Sequence, residues 1–264
     1  MSIEVPISIP KTLIIIPAYN EEEAIADTLT RLLKLKQHFT ELSICVINDG
    51  SHDKTAQIVN DFPVHLVNLP YNLGIGSAVQ TGYKYAYENG YDIAIQFDAD
   101  GQHNPDDLYK IIKPIAEDQC DMVLGSRFTE KTAYKGSISR RVGIFYFTAL
   151  LKVLTKQTFM DPTSGYRAIN REVIKIFAHN YPKDYPEPEV LIHLKKKKLR
   201  IHEISVNMQE RQGGQSSITP LKSAYYMIKV SLAILMQKNC ERLIINAYNY
   251  LFIYLHSIII FINY

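Results

Sequence analysis

Between residues 12 and 125, short apolar runs alternate with stretches of helical periodicity, and this alternation leaves few folds open to the chain. Leu13-Ile14-Ile15-Ile16 contains no polar residue, the pattern of a strand covered on both faces. Asn20 and Glu23 stand in capping-box spacing, and Ala24, Ile25, Leu29, Leu32 and Leu33 follow at helical intervals. Residues 44–47, 64–67, 93–97 and 122–124 predict four further strands. Helices are predicted after Asp53, over 76–89 and after Asn104, where Asn104-Pro105-Asp106-Asp107 joins a capping residue, a first-turn proline and acids at the positive end of the dipole. Repeated units of this kind predict an α/β fold, a mostly parallel sheet with helices on both faces. Past Gly125 the order loosens, with helices expected over 141–154 and 221–238 and a strand over 199–208.

With 264 residues, 47% of them hydrophobic and 21% charged, the chain can fill one large core. One domain is expected over residues 11–236, followed by an apolar tail over 237–264. The net charge of +2 comes with no concentrated basic face, so no nucleic-acid partner is expected. The run Lys195 to Lys198 with Arg200 reads as a solvated face. Cys45, Cys120 and Cys240 are scattered without metal-ligand spacing, and no secretory signal is recognised at the N-terminus. Both features fit a reducing, cytosolic setting.

Phe97-Asp98-Ala99-Asp100-Gly101-Gln102-His103 carries the clearest chemistry. Two carboxylates one residue apart, just past a buried strand, project to the same side at the edge where open α/β sheets bind ligands. Hard oxygen ligands there suit Mg²⁺ or Mn²⁺ bridging a diphosphate. A bare Asp-x-Asp is also common in surface turns; its position behind a buried strand favours the site. His103 reads as a polar residue preceding a helix, not a ligand. Asn72-Leu73-Gly74-Ile75-Gly76-Ser77-Ala78 lacks the third glycine of a dinucleotide fingerprint and follows the third strand, so it reads as a tight turn opening a helix.

Several ordered motifs resemble those of family 2 glycosyltransferases: Pro17-Ala18-Tyr19-Asn20-Glu21-Glu22, Asn48-Asp49-Gly50-Ser51, Asp98-Ala99-Asp100-Gly101-Gln102-His103 and Gly125-Ser126-Arg127-Phe128. Asp161-Pro162-Thr163-Ser164-Gly165-Tyr166-Arg167 and Arg211-Gln212-Gly213-Gly214-Gln215-Ser216-Ser217 resemble the branch acting on dolichyl and bacterial polyprenyl phosphates. The resemblance extends from residue 11 to about 236. It implies a GT-A-like fold and metal-dependent, inverting transfer of a sugar from a nucleotide diphosphate-sugar. Pro17, Tyr19, Glu21 and Asp49 would hold the nucleoside, and Asp98 would lie near the ribose and the metal. Asp100 and Gln102 would complete the metal site. Arg127, Arg140 and Arg211, with Ser216, would gather phosphates through the planar guanidinium fork, and Arg167 would join them on the acceptor side. Arg141 fits the Arg140 role equally well. Asp100, Arg127, Arg211, Asp161 and Glu189 are the residues expected at the catalytic centre.

Asn48 stands where the family often has an acid, which leaves Asp49 for the base. Tyr185-Pro186-Glu187-Pro188-Glu189 reads as a proline-stiffened loop, either solvent-facing or presenting a carboxylate to the acceptor. A polyprenyl phosphate acceptor is already ionised and needs no strong base. A sugar hydroxyl in a polysaccharide or glycolipid would need one, from Asp161, Glu187 or Glu189. A catalytically silent scaffold would have no physical need to keep the acids and arginines. Residues 243–264 contain no Asp, Glu, Lys or Arg and as a helix would span roughly 33 Å. The stretch is read as spanning, interfacial or an extension, with Asn246, Asn249, His256 and Asn263 opposing insertion. The expected place of action is the cytoplasmic face of a membrane.

Overall fold

The computed structural model describes residues 6–128, 138–183, 186–208 and 229–232; in the stretch beginning at 138, side chains are described from 143. Contacts divide the chain into Met1–Ile218 and Thr219–Tyr264. The first unit holds the α/β fold; in the second, residues 229–232 are helical. The remainder of the helix expected over 221–238 and the tail over 243–264 lie outside the described residues. Among the described residues no helix is long and apolar enough to cross a membrane.

Strands β1 (Thr12–Ala18), β2 (Leu42–Asn48), β3 (His65–Asn68), β4 (Ile93–Gln96), β5 (Met122–Ser126), β6 (Arg167–Asn170) and β7 (Ile201–Ser205) form one sheet. Their order is β3-β2-β1-β4-β6-β5-β7. Every pairing is parallel except those of β6, which runs against β4 and β5. The chain winds outward from β1 through β2 to β3, then crosses to the other side of β1 for β4. A crevice therefore opens at the carboxyl edge where the winding reverses.

All seven residues of β1 are buried. Side chains alternate across a strand. Ile14 and Ile16 pack with Ile44, Val46, Ile95 and Phe97 in the core that α1 (Ile25–Lys36) and α4 (Leu108–Ala116) cover. Ile15 points to the other face, towards α3 (Ile75–Glu88), where a Cβ on Gly82 would collide with its side chain. A glycine is what lets α3 approach the sheet this closely. Tyr83 of α3, Phe177 of α6 (Arg171–His179) and Tyr181 interlock at centroid distances of 5.0–5.3 Å. The remaining helices are α2 (Thr55–Asn60), α5 (Ile138–Thr155) and α7 (Pro186–Lys196).

The structure corrects the sequence reading in three places. Asn20 does not cap α1, which starts at Ile25 behind Ala24. Asn20 instead sits at φ 53°, and its side-chain oxygen accepts the His52 N–H at 2.9 Å, which ties it to the next loop. Pro186-Glu187-Pro188-Glu189 is not a loop but the first turn of α7, where a missing N–H costs no helical bond. The antiparallel strand β6 was not foreseen. Asn104 accepts the Asp106 N–H as a cap should, although the first turn it opens is 3₁₀.

Asp121, at the entry to β5, gathers three elements. It accepts the Arg200 N–H at 2.7 Å, Arg200 Nη2 at 2.9 Å and Asn170 Nδ2 at 3.0 Å. The Arg200 guanidinium holds the carboxyl below its ordinary range against the opposing effect of burial. A depressed carboxyl contributes stability above its unfolded pKa of about 3.9 and loses it as pH falls through the folded value. The urea midpoint of the wild type should therefore drop below about pH 4. Asp121→Asn should be less stable at neutral pH and lose less on acidification; equal acid slopes would refute the assignment.

Candidate active site at the carboxyl edge of the sheet

Three loops meet beyond the ends of β1, β2 and β4. The first two are stitched together across 30 or so residues of sequence. Asn20 N–H donates to Ser51 Oγ at 3.0 Å, Glu21 N–H to Thr55 Oγ1 at 2.8 Å and Glu22 N–H to Asp53 Oδ2 at 3.1 Å. Lys54 N–H returns to Glu22 Oε2 at 3.0 Å. Burial works against the charge on Asp53, yet hydrogen bonds from the Thr55 hydroxyl, Thr55 N–H and Glu22 N–H keep its carboxyl below the ordinary value. A cavity beside these loops is lined by Asn20, Glu21, Glu22, Glu23, His52 and Asp53. Pro17 is buried at the end of β1, while Tyr19 is half exposed and edge-on to His52, 6.4 Å between centroids.

Asp49 is 3% exposed, and its two oxygens accept the N–H groups of Leu73 and Gly74 at 2.8 and 2.9 Å. The same loop lies on Gly50, whose φ is +68° and whose added Cβ would meet the Tyr71 and Asn72 backbone at 2.5–2.6 Å. In this arrangement Asp49 shapes the loop over 71–74. Asn48 is engaged too, donating to Asn68 Oδ1 at 2.9 Å and accepting from Ser51 N–H at 3.2 Å.

Asp98 and Asp100 follow β4 directly. Asp98 N–H donates to His103 Nδ1 at 3.0 Å, and His103 Nε2 lies 3.3 Å from Asp98 Oδ2. An accepting Nδ1 carries no proton, so the proton sits on Nε2 and points at the carboxylate. Burial keeps the ring neutral by pushing its pKa down to about 3. His103 is stacked on Tyr166 at 4.5 Å and meets the Phe97 ring edge-on at 5.1 Å. On the other side a Cβ on Gly165 would lie 3.2 Å from both Asp98 oxygens. Asp100, 8% exposed, accepts the Gln102 N–H at 3.0 Å across Gly101, which stands at φ +76°. His103 is therefore not merely a polar residue before a helix but the group that orients Asp98, and its one signal in the sequence is a histidine five positions after an acid.

No group of three or more His, Cys, Asp or Glu residues suited to a metal occurs among the described residues. Mg²⁺ is ordinarily held by one or two carboxylates together with substrate phosphate oxygens and water. The hard oxygens of Asp98 and Asp100, one of them braced by an outer histidine, fit that pattern. Gln102 belongs to the same turn.

The second half of the site rests on a buried ion pair. Asp161 is fully buried and Arg127 is 2% exposed. Asp161 Oδ2 accepts Arg127 Nε at 2.6 Å and its N–H at 3.1 Å, while Oδ1 accepts Nη2 at 2.7 Å. Glu203 of β7 sets the backbone of this segment, accepting the N–H groups of Met160 at 2.8 Å and Asp161 at 2.7 Å. Arg167 is 1% exposed. Its Nε donates to the Ser164 carbonyl at 2.7 Å and its Nη2 to the carbonyls of Pro162 at 3.2 Å and Glu187 at 2.8 Å, while Nη1 is buried without a hydrogen-bond partner. Glu187 is partly buried; burial raises its carboxyl, Arg167 opposes the rise and Asp98 adds to it. Glu189 lies two residues further along the first turn of α7. Arg140 falls in α5, without a described side chain; Arg211 and Ser216 lie outside the described residues.

The architecture is that of a GT-A-like α/β fold with a crevice at the carboxyl edge of its sheet. Residues 13–177 match glycosyl transferase family 2. The UDP-N-acetylglucosamine–dolichyl-phosphate N-acetylglucosaminyltransferase of Methanococcus voltae is 34% identical over 73% of this chain and 83% of its own. The undecaprenyl-phosphate mannosyltransferase of Micrococcus luteus is 27% identical over 79% and 88%. Among solved structures, glucosyl-3-phosphoglycerate synthase of Mycobacterium tuberculosis, crystallised with Mn²⁺, UDP and glucosyl-3-phosphoglycerate, superposes with a TM-score of 0.66. It is 20% identical and covers 87% of this chain and 80% of that one, a likeness of fold. The chain belongs to glycosyl transferase family 2 and is a glycosyltransferase.

Removing one member of a buried pair leaves an uncompensated charge, at about 3–5 kcal/mol. Arg127→Met and Asp161→Leu should each show a loss of that order in urea unfolding. The double variant should lose clearly less than the sum; strict additivity would mean that the two charges are not coupled.

Proposed function

We propose that the chain moves a sugar from a nucleotide diphosphate-sugar to a polyprenyl phosphate at the cytoplasmic face of a membrane, with inversion and with a divalent ion held at Asp98, Asp100 and Gln102. The observation that carries this reading is the Asp98–Asp100 pair at the carboxyl edge of β4, with Asp98 braced by His103 and Gly165 and Asp100 accepting the Gln102 N–H. The names of the relatives support the acceptor, and the neighbouring fold crystallised with Mn²⁺ and UDP supports the metal.

The loops after β1 and β2 seat the nucleoside, with Glu21 lining the cavity, Pro17 and Tyr19 preceding it in the same loop and Asp49 fixing the loop over 71–74. A bound Mg²⁺ or Mn²⁺ supplies charge neutralisation for the departing diphosphate. His103 keeps one Asp98 oxygen fixed, so the carboxylate arrives preorganised and needs little rearrangement as charge develops. Arg127, paired with Asp161, acts by fastening the 161–167 segment, and with it Gly165 against Asp98, at this edge. Arg140, Arg211 and Ser216 are assigned to phosphates by the sequence motifs alone.

A phosphate acceptor has a second pKa of about 6 and attacks without a strong base, so positioning is the main requirement. Asp161, saturated by Arg127, is a poor base for any acceptor. The raised Glu187 carboxyl beside Asp98 favours a second reading, in which Glu187 or its neighbour Glu189 deprotonates a sugar hydroxyl.

Asp100→Asn should abolish turnover that depends on divalent ion, by a factor of about 10² or more, with an unchanged far-ultraviolet spectrum. Asp98→Asn should do the same and also weaken nucleotide binding. Release of nucleoside diphosphate, measured over a panel of nucleotide-sugars at buffered Mn²⁺, reads both. Undiminished turnover in either variant would remove the metal assignment. Offered polyprenyl phosphate, a polyprenyl diphosphate-sugar and a free sugar together, the wild type should label only the first. Label on a sugar hydroxyl alone would promote Glu187 or Glu189 and sink the lipid-phosphate acceptor.

A further inference from the structure

At the carboxyl edge of the sheet the neighbouring strands run β2, β1, β4, β6. The loops after β2 and β1 form the stitched pair beside the cavity, and Asp98 and Asp100 follow β4. A nucleotide diphosphate-sugar is laid out along a line of its own: nucleoside, diphosphate, sugar. With the nucleoside over β1 and β2 and the diphosphate at Asp98 and Asp100, the sugar falls on the β6 side. The turn that enters β6 and the first turn of α7 meet there, and their surroundings are polar. A Cβ on Gly165 would lie 3.2 Å from Gln96 Nε2 as well as from both Asp98 oxygens. Arg167 ties the turn to α7, because its Nη2 donates to the carbonyls of both Pro162 and Glu187. Its guanidinium is a buried cation that makes no ion pair among the described residues, and Nη1 has no hydrogen-bond partner.

Glu187 is the acid that answers this cation. It is only partly buried, and its carboxyl feels the charges of both Arg167 and Asp98, so it stands within electrostatic reach of the guanidinium and of the metal end of the site. A neighbouring cation favours the ionised form of a carboxyl, and an ionised carboxylate is a strong acceptor of hydrogen bonds from hydroxyls. We propose that Glu187 reads the donor sugar: its carboxylate accepts a hydrogen bond from one sugar hydroxyl, and Arg167 positions it by holding the Glu187 carbonyl. A site built around such a bond rejects a sugar that lacks the hydroxyl, because the carboxylate is then left without its partner. The inference rests on the nucleotide-sugar reading of the site and narrows the donor to sugars that keep that hydroxyl free. It gives Glu187 to the donor, where the second reading above gives it to the acceptor as a base.

The test pairs substitutions with trimmed donors. UDP-N-acetylglucosamine, UDP-glucose and GDP-mannose are offered to the full-length protein with Mn²⁺, and kcat/KM is read from the release of nucleoside diphosphate. The donor turned over best is then compared with analogues that each lack a single sugar hydroxyl. The wild type should lose about 10²-fold or more on one of them. Glu187→Ala should lose about as much on the parent donor and nothing further on that analogue. Glu187→Gln keeps an acceptor oxygen, so it should lose about tenfold or less and still discriminate against the same analogue. Both variants keep the Glu187 carbonyl for Arg167, and each comparison is a ratio within one variant, so a smaller folded fraction cannot imitate it. A base predicts the reverse: Glu187→Gln as damaging as Glu187→Ala, with the ratios among donors as in the wild type. Wild-type ratios in Glu187→Ala would overturn the proposal and leave the transferase reading standing. A collapsed ratio, with label on a sugar hydroxyl and none on polyprenyl phosphate, would sink the acceptor reading and leave Glu187 in its place.

Discussion

A carboxylate with no solvent exposure must be neutralised where it lies, and Asp161 is such a group. Its partner Arg127 is the residue next after β5, so the pair fastens the segment that begins at Asp161 to the carboxyl edge of the sheet. Glu203 secures the same segment from β7 through two backbone N–H groups. Everything from Pro162 to Arg167 then has little freedom. Gly165 comes to rest against the Asp98 carboxylate, Tyr166 stacks on His103, and Arg167 closes the turn by binding the carbonyls of Ser164 and Pro162. Entry into β6 antiparallel to its neighbours is what makes this possible. A strand of reversed sense starts at the edge where the parallel strands finish.

That geometry separates what the sequence could disclose from what it could not. β1, β2 and β4 were legible because they are buried almost throughout and so carry continuous apolar runs, whereas β3, at the sheet edge with both ends exposed, was marked only by Leu66 and Val67 within its four residues. The 104–107 cap was legible because its chemistry is local. β6 is four residues long and opens with an arginine, so neither length nor polarity marks it as an inner strand. The start of α7 was hidden because its two prolines resemble loop punctuation, and only the first-turn position makes them compatible with a helix. Asn20 failed as a cap for a different reason. Its side chain found a backbone partner 32 residues away, and no local pattern reports a contact of that range.

The candidate site divides along the same line. Asp98 and Asp100 declared themselves through spacing and position. The groups that hold Asp98, namely His103, Gly165 and, behind the histidine, Tyr166, are identifiable only once 98–103 and 161–167 are brought together. Residue type alone does not tell an arginine that meets a ligand from one that braces a turn, and Arg167, with Nε and Nη2 on carbonyls and Nη1 buried without a partner, braces the turn with part of its fork. Both use the same forked donors, and the difference lies in whether carbonyls or solvent surround them.

The sheet order also sets a timetable for synthesis. Strands β1 to β4, with α1 to α3, can assemble as soon as they leave the ribosome, because each pairs with a strand already made. β5 cannot join them, since its place is beyond β6, which is made later. From the end of β4 at Gln96 to the start of β6 at Arg167, about 70 residues must emerge while one edge of β4 stays without a partner. During that interval the nascent chain exposes a short apolar strand edge, and a stalled or truncated product that ends before residue 167 keeps it. The first half of the sheet is thus quick to form, and its solubility waits on the half that completes it.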